Sequence, residues 1–577
     1  MSLPSFSGTL RKLVMAFDVG TTYSGIGYAI LDPGEVPRIQ GVTRFPGQEN
    51  GDFKIPTILW YTQEGTVRAA GAEARDPGMT LLAEDEDLIF VEWFKLHLRP
   101  NALQDQELKD SKLQPLPLGK TVIDVFGDFL KYLFQCAKQF IVETHPNGSS
   151  LWGSVDQRIE FVLSHPNGWE GLQQGKMRQA AIAAGLIPNT AAGQARLHFV
   201  TEGEASMHYC VDSGLTTGTI QDGQGIMIVD AGGGTVDLST YLFTSTSPTT
   251  VEEIAPPDCI LQGSTRVNVR AERFLRAKLG NSRYGNEEDI KTMLESFEKS
   301  AKPTFKEIND RSFIKFGSMR DRDPDVGIRS GQLTIDGTDV AKFFEPSIQA
   351  ILESVRKQRQ LSSTTPKMAF LVGGFAASPW LFARLKTVLA SIGMELSRPD
   401  NHTNKAVAEG AVSHYLQHFV SVRVARLTYG AACCVDFDGA DNDHSLRAGN
   451  IFYLPSGRLM VPDAFRVIIE KGTRMQENEE VEYSFQQETS QKSVLNSLTA
   501  TVECYRGRVK GPKWTDVETD LFSPLCTIRA DTSRVVKHKQ RGTRGEYFVQ
   551  KYKIVLLCGS TELKAQLSWV ENGIEKR

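Results

Sequence analysis

The chain has 577 residues, too many for one hydrophobic core, so roughly two to four domains are expected. Hydrophobic residues make up 40% and charged residues 23%, the balance of an ordinary soluble globular protein, and a net charge of -4 gives no overall pull towards nucleic acid or anionic membrane. No apolar run is long enough to span a bilayer, and the first ten residues, MSLPSFSGTL, lack the charged and apolar regions of a signal peptide. The eight cysteines include no C-x-x-C pair, and Cys433 and Cys434 are adjacent, so no disulfide framework is expected. A cytoplasmic, reducing location follows as the expectation.

In chain order, Met15–Ile30 (MAFDVGTTYSGIGYAI) reads as strand, glycine turn, strand. Lys54–Tyr61 reads as a strand, Ala69–Arg75 as a short helical piece, and Leu88–Leu98 as an apolar segment around the single Lys95. Leu103–Gly119 reads as a polar loop. The Gly119-Lys120-Thr121 at its end is not a P-loop, because Gln114 stands where that motif needs glycine. Val122–Glu143 is a strongly amphipathic helix. Arg158–Ser164 is a strand closed by His165-Pro166, Met177–Ala184 is helical, and Leu197–Thr201 is a strand with Glu202 at its end.

Ile226–Tyr241 (IMIVDAGGGTVDLSTY) repeats the first hairpin's grammar: an apolar strand ending at Asp230, then Gly232, Gly233 and Gly234, then an alternating strand through Asp237. Helical patterns follow at Ala271–Leu279, Glu287–Lys302 and Val340–Gln358. The strand Lys367–Val372 runs into Gly373-Gly374, Ser378-Pro379 opens a helix to Ser391, and Lys405–Phe419 is the last helix. Beyond about residue 425 helical periodicity stops, and short strands between polar turns suggest an all-β module.

Glycine turns let backbone amides close on an anion, because no Cβ holds the ligand away. Carboxylates beside such turns make sense if a cation accompanies the phosphate. Two such hairpins, far apart in the chain, predict related half-domains with a nucleotide's phosphates between them.

These residues resemble a known family. Asp18-Val19-Gly20-Thr21-Thr22-Tyr23-Ser24 and Asp230-Ala231-Gly232-Gly233-Gly234-Thr235-Val236-Asp237 resemble the two phosphate motifs of the heat shock 70 kDa chaperones, in the actin-like ATPase superfamily. Phe370-Leu371-Val372-Gly373-Gly374 resembles the adenosine motif, and Ile468–Thr473 resembles part of the peptide-binding β-sandwich. The divergence is similar to that of the atypical branch typified by heat shock 70 kDa protein 12.

The resemblance implies an α/β fold: a two-lobed actin-like ATPase of duplicated ribonuclease-H-like halves over residues 11–419, a linker at 420–429, and a small all-β sandwich without a helical lid at 430–577. It implies ATP or ADP with Mg2+ held, chiefly through water, by Asp18 and Asp230. Gly20, Thr21, Thr22, Tyr23, Gly232, Gly233, Gly234 and Thr235 would cradle phosphate, with Lys95, Glu202, Asp230 and Thr235 in catalytic roles. Gly373, Gly374, Phe375, Glu298 and Lys302 would hold adenosine, and Pro166 and Arg178 would relay nucleotide state. The implied activity is slow ATP hydrolysis controlling the hold on unfolded or extended polypeptide, with co-chaperones as further partners, in a monomer that contacts neither nucleic acid nor membrane.

Departures and alternatives accompany this reading. Gly203 replaces a proline usual after the acidic residue, and Phe375 and Ala377 replace a serine and an adenine-stacking arginine. Lys95 also reads as a surface lysine lying along apolar neighbours, Glu202 as a cap partner, Pro166 as a strand terminator, and Glu298–Lys302 as a solvated i,i+4 pair. His414 and His418 sit one turn apart with no third metal ligand evident in the sequence, which reads as a chance feature of one helix face. A nucleotide-gated scaffold with negligible turnover and a metabolite kinase of the same superfamily are the alternative functions.

Overall fold

The computed structural model describes residues 3–48, 50–100, 113–169, 171–216, 218–399, 403–559 and 562–577; the loop expected at 103–119 lies mostly outside them. The chain divides into two compact units, Met1–Trp169 with Gln173–Phe419, and Glu170–Leu172 with Val420–Arg577. The fold is mixed α/β.

The first unit opens with β1 (Lys12–Asp18) and β2 (Tyr23–Leu31), an antiparallel hairpin in which Asp18 lies opposite Gly25. α1 (Val122–Thr144) begins with a reciprocal capping box between Thr121 and Asp124. Its apolar stripe, including Phe126, Phe129, Leu130 and Leu133, is fully buried against this sheet and forms its main core with Phe17 and Phe161. Complete burial of each such side chain stabilises the fold by about 1.5–3 kcal/mol. β3 (Ile159–His165) joins β1 in parallel, α2 (Gly171–Ala183) follows, and β4 (Leu197–Thr201) joins β3 in parallel. α3 (Glu202–Asp212) starts directly from β4, its first turn capped by the Thr201 side chain.

The same order then recurs. β5 (Gly225–Ala231) and β6 (Val236–Thr246) form an antiparallel hairpin with Asp230 opposite Asp237. α4 (Ser264–Leu279), α5 (Glu287–Ser296) and α6 (Gly337–Leu361) follow. β7 (Met368–Val372) pairs in parallel with β5, α7 (Pro379–Ser391) is capped by Ser378, and β8 (Glu395–Ser397) pairs in parallel with β7. Both sheets thus contain a hairpin, a strand added in parallel to the hairpin's first strand, and another added in parallel to that one. α8 (Ala406–Leu416) returns to the first sheet, where Ala411 and Val412 pack on Val14, Ala16 and Val162.

In the second unit, β9 (Val420–Val424) and β10 (Thr428–Asp436) take up most of the segment expected to be a linker. Further strands are β11 (Leu459–Ile469), β12 (Arg474–Gln476), which pairs with β9, β13 (Glu479–Thr489), β14 (Ser497–Tyr505), β15 (Phe522–Asp531), β16 (Gly545–Cys558) and β17 (Leu563–Glu571). Apart from β9 and β12, these strands lie in two sheets, one containing the order β11-β10-β14-β15 and the other β13-β16-β17. Alternate residues of β14, among them Leu498 and Val502, share one apolar cluster with Ile554, Leu556 and Leu567 of the other sheet.

Local differences from the sequence expectations have plain causes. Residues 69–75 split into the end of a strand, Val67–Ala70, and one 3-10 turn, Glu73–Arg75, because Gly71 takes φ +63° between them. Lys95 lies on a 3-10 turn, Phe94–Leu98, entered through Trp93 at φ +54°. The Glu287–Lys302 helix is interrupted by a π turn at Phe297–Ala301. No helix among the described residues is long and apolar enough to cross a membrane, and all eight cysteines are free.

Candidate nucleotide site

The two hairpin turns of the first unit face each other. A Cβ added at Gly233 would collide with Thr22 Oγ1, and one at Gly234 with Thr21 Oγ1, so only glycine permits the approach. The second turn is held from behind by the start of α4. The carbonyls of Gly232, Gly233 and Gly234 accept hydrogen bonds from the backbone N–H groups of Ser264, Thr265 and Gly263 respectively, at 2.9–3.2 Å. In a trans peptide the N–H points opposite to the preceding carbonyl. Anchoring these carbonyls on α4 therefore turns the N–H groups of Gly233, Gly234 and Thr235 the other way, where the cavity lies.

That cavity has a volume of about 730 Å³. It is lined by Gly20, Thr21, Thr22 and Tyr23 from one turn and by Gly232, Gly233, Gly234 and Thr235 from the other. Asp18, Lys95, Glu202, Asp230, Glu298, Lys302, Gly373, Gly374 and Phe375 complete the set of expected lining residues. Gly373 has φ +91°, and a Cβ there would collide with Asp230 Oδ1, which lets the β7 end lie directly against the β5 end.

The charged groups are arranged in pairs. Lys95 is buried; its Nζ donates to Glu202 Oε1 at 2.6 Å and sits 5.4 Å from the centre of the Trp169 ring. Burial works to lower the Lys95 pKa, but the carboxylates of Glu202 and Asp18 outweigh it and hold the amine above its usual value. Burial pushes the Glu202 carboxyl up, against the pull of the Lys95 ammonium. Its place at the first position of α3 adds the favourable field of a helix N-terminus. Asp18 accepts from Ser164 Oγ at 3.1 Å and pairs with Lys54. Asp230 accepts from Ser206 Oγ at 2.7 Å, and burial beside Glu202 raises its pKa well above its usual value.

Glu298 and Lys302 pair at the cavity wall, with Glu298 half-buried. Lys302 is nearly buried, lies 3.7 Å from Glu298 and donates to Asn268 Oδ1 at 2.8 Å. Burial lowers its pKa. The π turn that carries Glu298 shifts the side-chain register of the helix where it meets the cavity; such bulges recur at functional sites.

Pro166 and Arg178 lie off the cavity. The residue after Pro166, Asn167, donates its backbone N–H to Asp237 Oδ1 at 2.6 Å and its amide to Ser239 Oγ at 3.0 Å, which ties the end of β3 to β6. His165 meets Gln174 of α2 at 2.9 Å, while Arg178, also on α2, donates to the Gln194 carbonyl at 2.8 Å. Asp237 is thus directed at the β3 end and not into the cavity, although it stands across the hairpin from Asp230.

The cavity also includes residues that no sequence motif marked: Asp52, Lys54, Ser264, Ser378, Arg398 and Asn404. Arg398 donates to the Ala376 carbonyl at 3.0 Å and stacks 4.4 Å from the Phe382 ring, so a guanidinium lies at the wall built by Gly374 and Phe375.

The donor chemistry fits a magnesium nucleotide. Oxygen ligands from two carboxylates suit a hard divalent cation that keeps waters, and glycine turns with hydroxyls suit phosphate.

No family model matches the chain. It is 24% identical to heat shock 70 kDa protein 12B of Homo sapiens over 502 residues, spanning 73% of this chain and 71% of that protein. It is 26% identical to heat shock 70 kDa protein 12A of Homo sapiens over 518 residues and 25% identical to that of Mus musculus over 516, each spanning 72% of this chain and 71% of the relative. The class these similarities support is the actin-like ATPase superfamily. Within it, they support an atypical relative of the heat shock 70 kDa protein 12 proteins.

Proposed function

We propose that this chain is an atypical Hsp70-like chaperone whose two-lobed actin-like domain binds and slowly hydrolyses Mg-ATP to control a β-sandwich that holds extended polypeptide. The observation that carries the reading is the pair of opposed glycine turns, with Asp18, Asp230, Glu202 and Lys95 together on one cavity. The N–H groups of Gly233, Gly234 and Thr235, with the hydroxyls of Thr21 and Thr22, hold the terminal phosphates. Asp18 and Asp230 would hold Mg2+ through water, and the ion would supply neutralising charge at the phosphates.

Lys95 stabilises charge at the transferred group, and Glu202 positions the attacking water at the foot of α3. Gly373, Gly374 and Phe375 let the adenosine lie against bare backbone, with Glu298, Lys302 and Arg398 around it. In place of the missing arginine after the Gly-Gly pair, Arg398 supplies a guanidinium to that wall. ATP controls polypeptide binding only if it binds one arrangement of the domain more tightly than another. The Asn167–Asp237 link beside Pro166 is a contact through which the two sheets sense each other.

Single-turnover ATP hydrolysis with and without unfolded polypeptide tests the reading. Stimulation by polypeptide supports it. Binding without turnover overturns it in favour of a nucleotide-gated scaffold, and phosphoryl transfer to a small molecule in favour of a kinase.

A further inference from the structure

α8 and α3 pack so closely that no Cβ fits at Gly410, where it would collide with the Ala205 carbonyl. Across this contact three side chains converge. Glu204 and His208, four residues apart and so on one face of α3, meet His414 from α8, one turn after Gly410. A ligand atom from each lies within 4.8 Å of the other two, and all three residues are buried. His414 Nδ1 is 3.2 Å from Glu204 Oε1, yet it makes no hydrogen bond among the described residues.

We propose that Glu204, His208 and His414 bind a divalent transition metal of the zinc class, and that this ion clamps α3 to α8. Two imidazoles and a carboxylate are a zinc donor set, whereas magnesium and calcium take oxygen ligands. Tetrahedral bonds of about 2.0–2.1 Å place ligand atoms roughly 3.3 Å apart. The Glu204–His414 pair is already at that spacing, and the His208 ligand atom lies within 4.8 Å of both. A ligating imidazole has its other nitrogen held. His208 Nδ1 lies 3.2 Å from Ser413 Oγ, and the ring stacks on Phe419 at 3.8 Å, which fixes its plane. His418 is exposed, with its ring centre 4.9 Å from that of His414, and a water or this imidazole would complete the set of four donors.

In the sequence His414 and His418 lacked a third ligand, because Glu204 and His208 lie some two hundred positions earlier and only the packing of α8 on α3 brings them together. The site differs from the nucleotide cavity but shares a helix with it. α3 carries Glu202 at its start and Ser206, which bonds Asp230, between the two ligands. A filled site would hold this helix rigid beneath the cavity.

The test uses the full chain stripped by a chelator. Zn2+ is titrated in competition with a chromophoric chelator, melting is followed with and without Zn2+, and the bound ion is examined by X-ray absorption. One equivalent should bind, with nitrogen and oxygen ligands only, and raise Tm. His208→Asn and His414→Asn should each weaken binding at least tenfold, whereas Cys434→Ser/Cys526→Ser, which removes two exposed thiols, should leave it unchanged. No bound ion, sulfur in the coordination shell, or undiminished binding in both histidine variants would overturn the proposal. If those variants fail to fold, the ligand atoms seen by X-ray absorption in the unaltered chain decide it.

Discussion

Lys95 and Glu202, more than a hundred residues apart, form a buried ion pair that joins the 3-10 turn after Trp93 to the first residue of α3. Removing one partner leaves the other charged in a desolvated site, which costs about 3–5 kcal/mol. Lys95→Met and Glu202→Gln should each abolish most ATP turnover while lowering stability. Lys95→Met/Glu202→Gln should be more stable than the sum of the single losses, because no lone charge then remains. Denaturant unfolding of the four chains measures the coupling; strictly additive losses would show that the pair does not act as a unit.

The glycine turns make a sharper demand. Gly233→Ala places a methyl against Thr22 Oγ1, and Gly373→Ala adds a strained φ to a collision with Asp230. Each should weaken ATP binding at least tenfold, about 1.4 kcal/mol, as read by calorimetry. Gly393→Ala is the control: it has φ +71° but open space around it, so it should cost stability and leave affinity alone.

Arg398→Ala should weaken ATP and ADP by the same factor, corresponding to about 0.5–2 kcal/mol if the guanidinium meets the base. A loss confined to ATP would place Arg398 at the phosphates.

Glu92 gives a pH signature. Burial, reinforced by the Glu298 carboxylate, pushes its pKa up to about 7. Between the ordinary glutamate value and that point the folded chain binds the proton and the unfolded chain does not. Stability therefore falls as pH rises through this window, and the full penalty is present above it. Glu92→Gln should flatten this limb of the Tm–pH profile between about pH 5 and 8. An unchanged slope would show that Glu92 does not carry it.

Much of this was legible locally. The two hairpins, α1 with its apolar stripe and the β strands after residue 425 follow from short-range periodicity and turn chemistry, which act within a few residues. The residues of those turns line the cavity, so motif and cavity coincide. Lys54, Arg398 and Ser264 were not legible because nothing near them in the chain marks a role; tertiary packing alone delivers them. Asp237 shows the opposite error. Its place at the end of a hairpin suggested a cation, but the N–H of Asn167 lies within reach and takes its carboxylate. The resemblance implies a linker at 420–429, yet its alternating valines form β9, and β10 follows.

The central claim is that one cavity between the two glycine turns binds Mg-ATP. Calorimetric titration of the full chain with ATP, with Mg2+ present and with it withheld, tests this most directly when Asp230→Ala is measured beside it. The account predicts one site per chain, dependence on Mg2+, and loss of binding in Asp230→Ala with the fold retained. Absence of binding to the unaltered chain, or undiminished affinity in a folded Asp230→Ala, would contradict it.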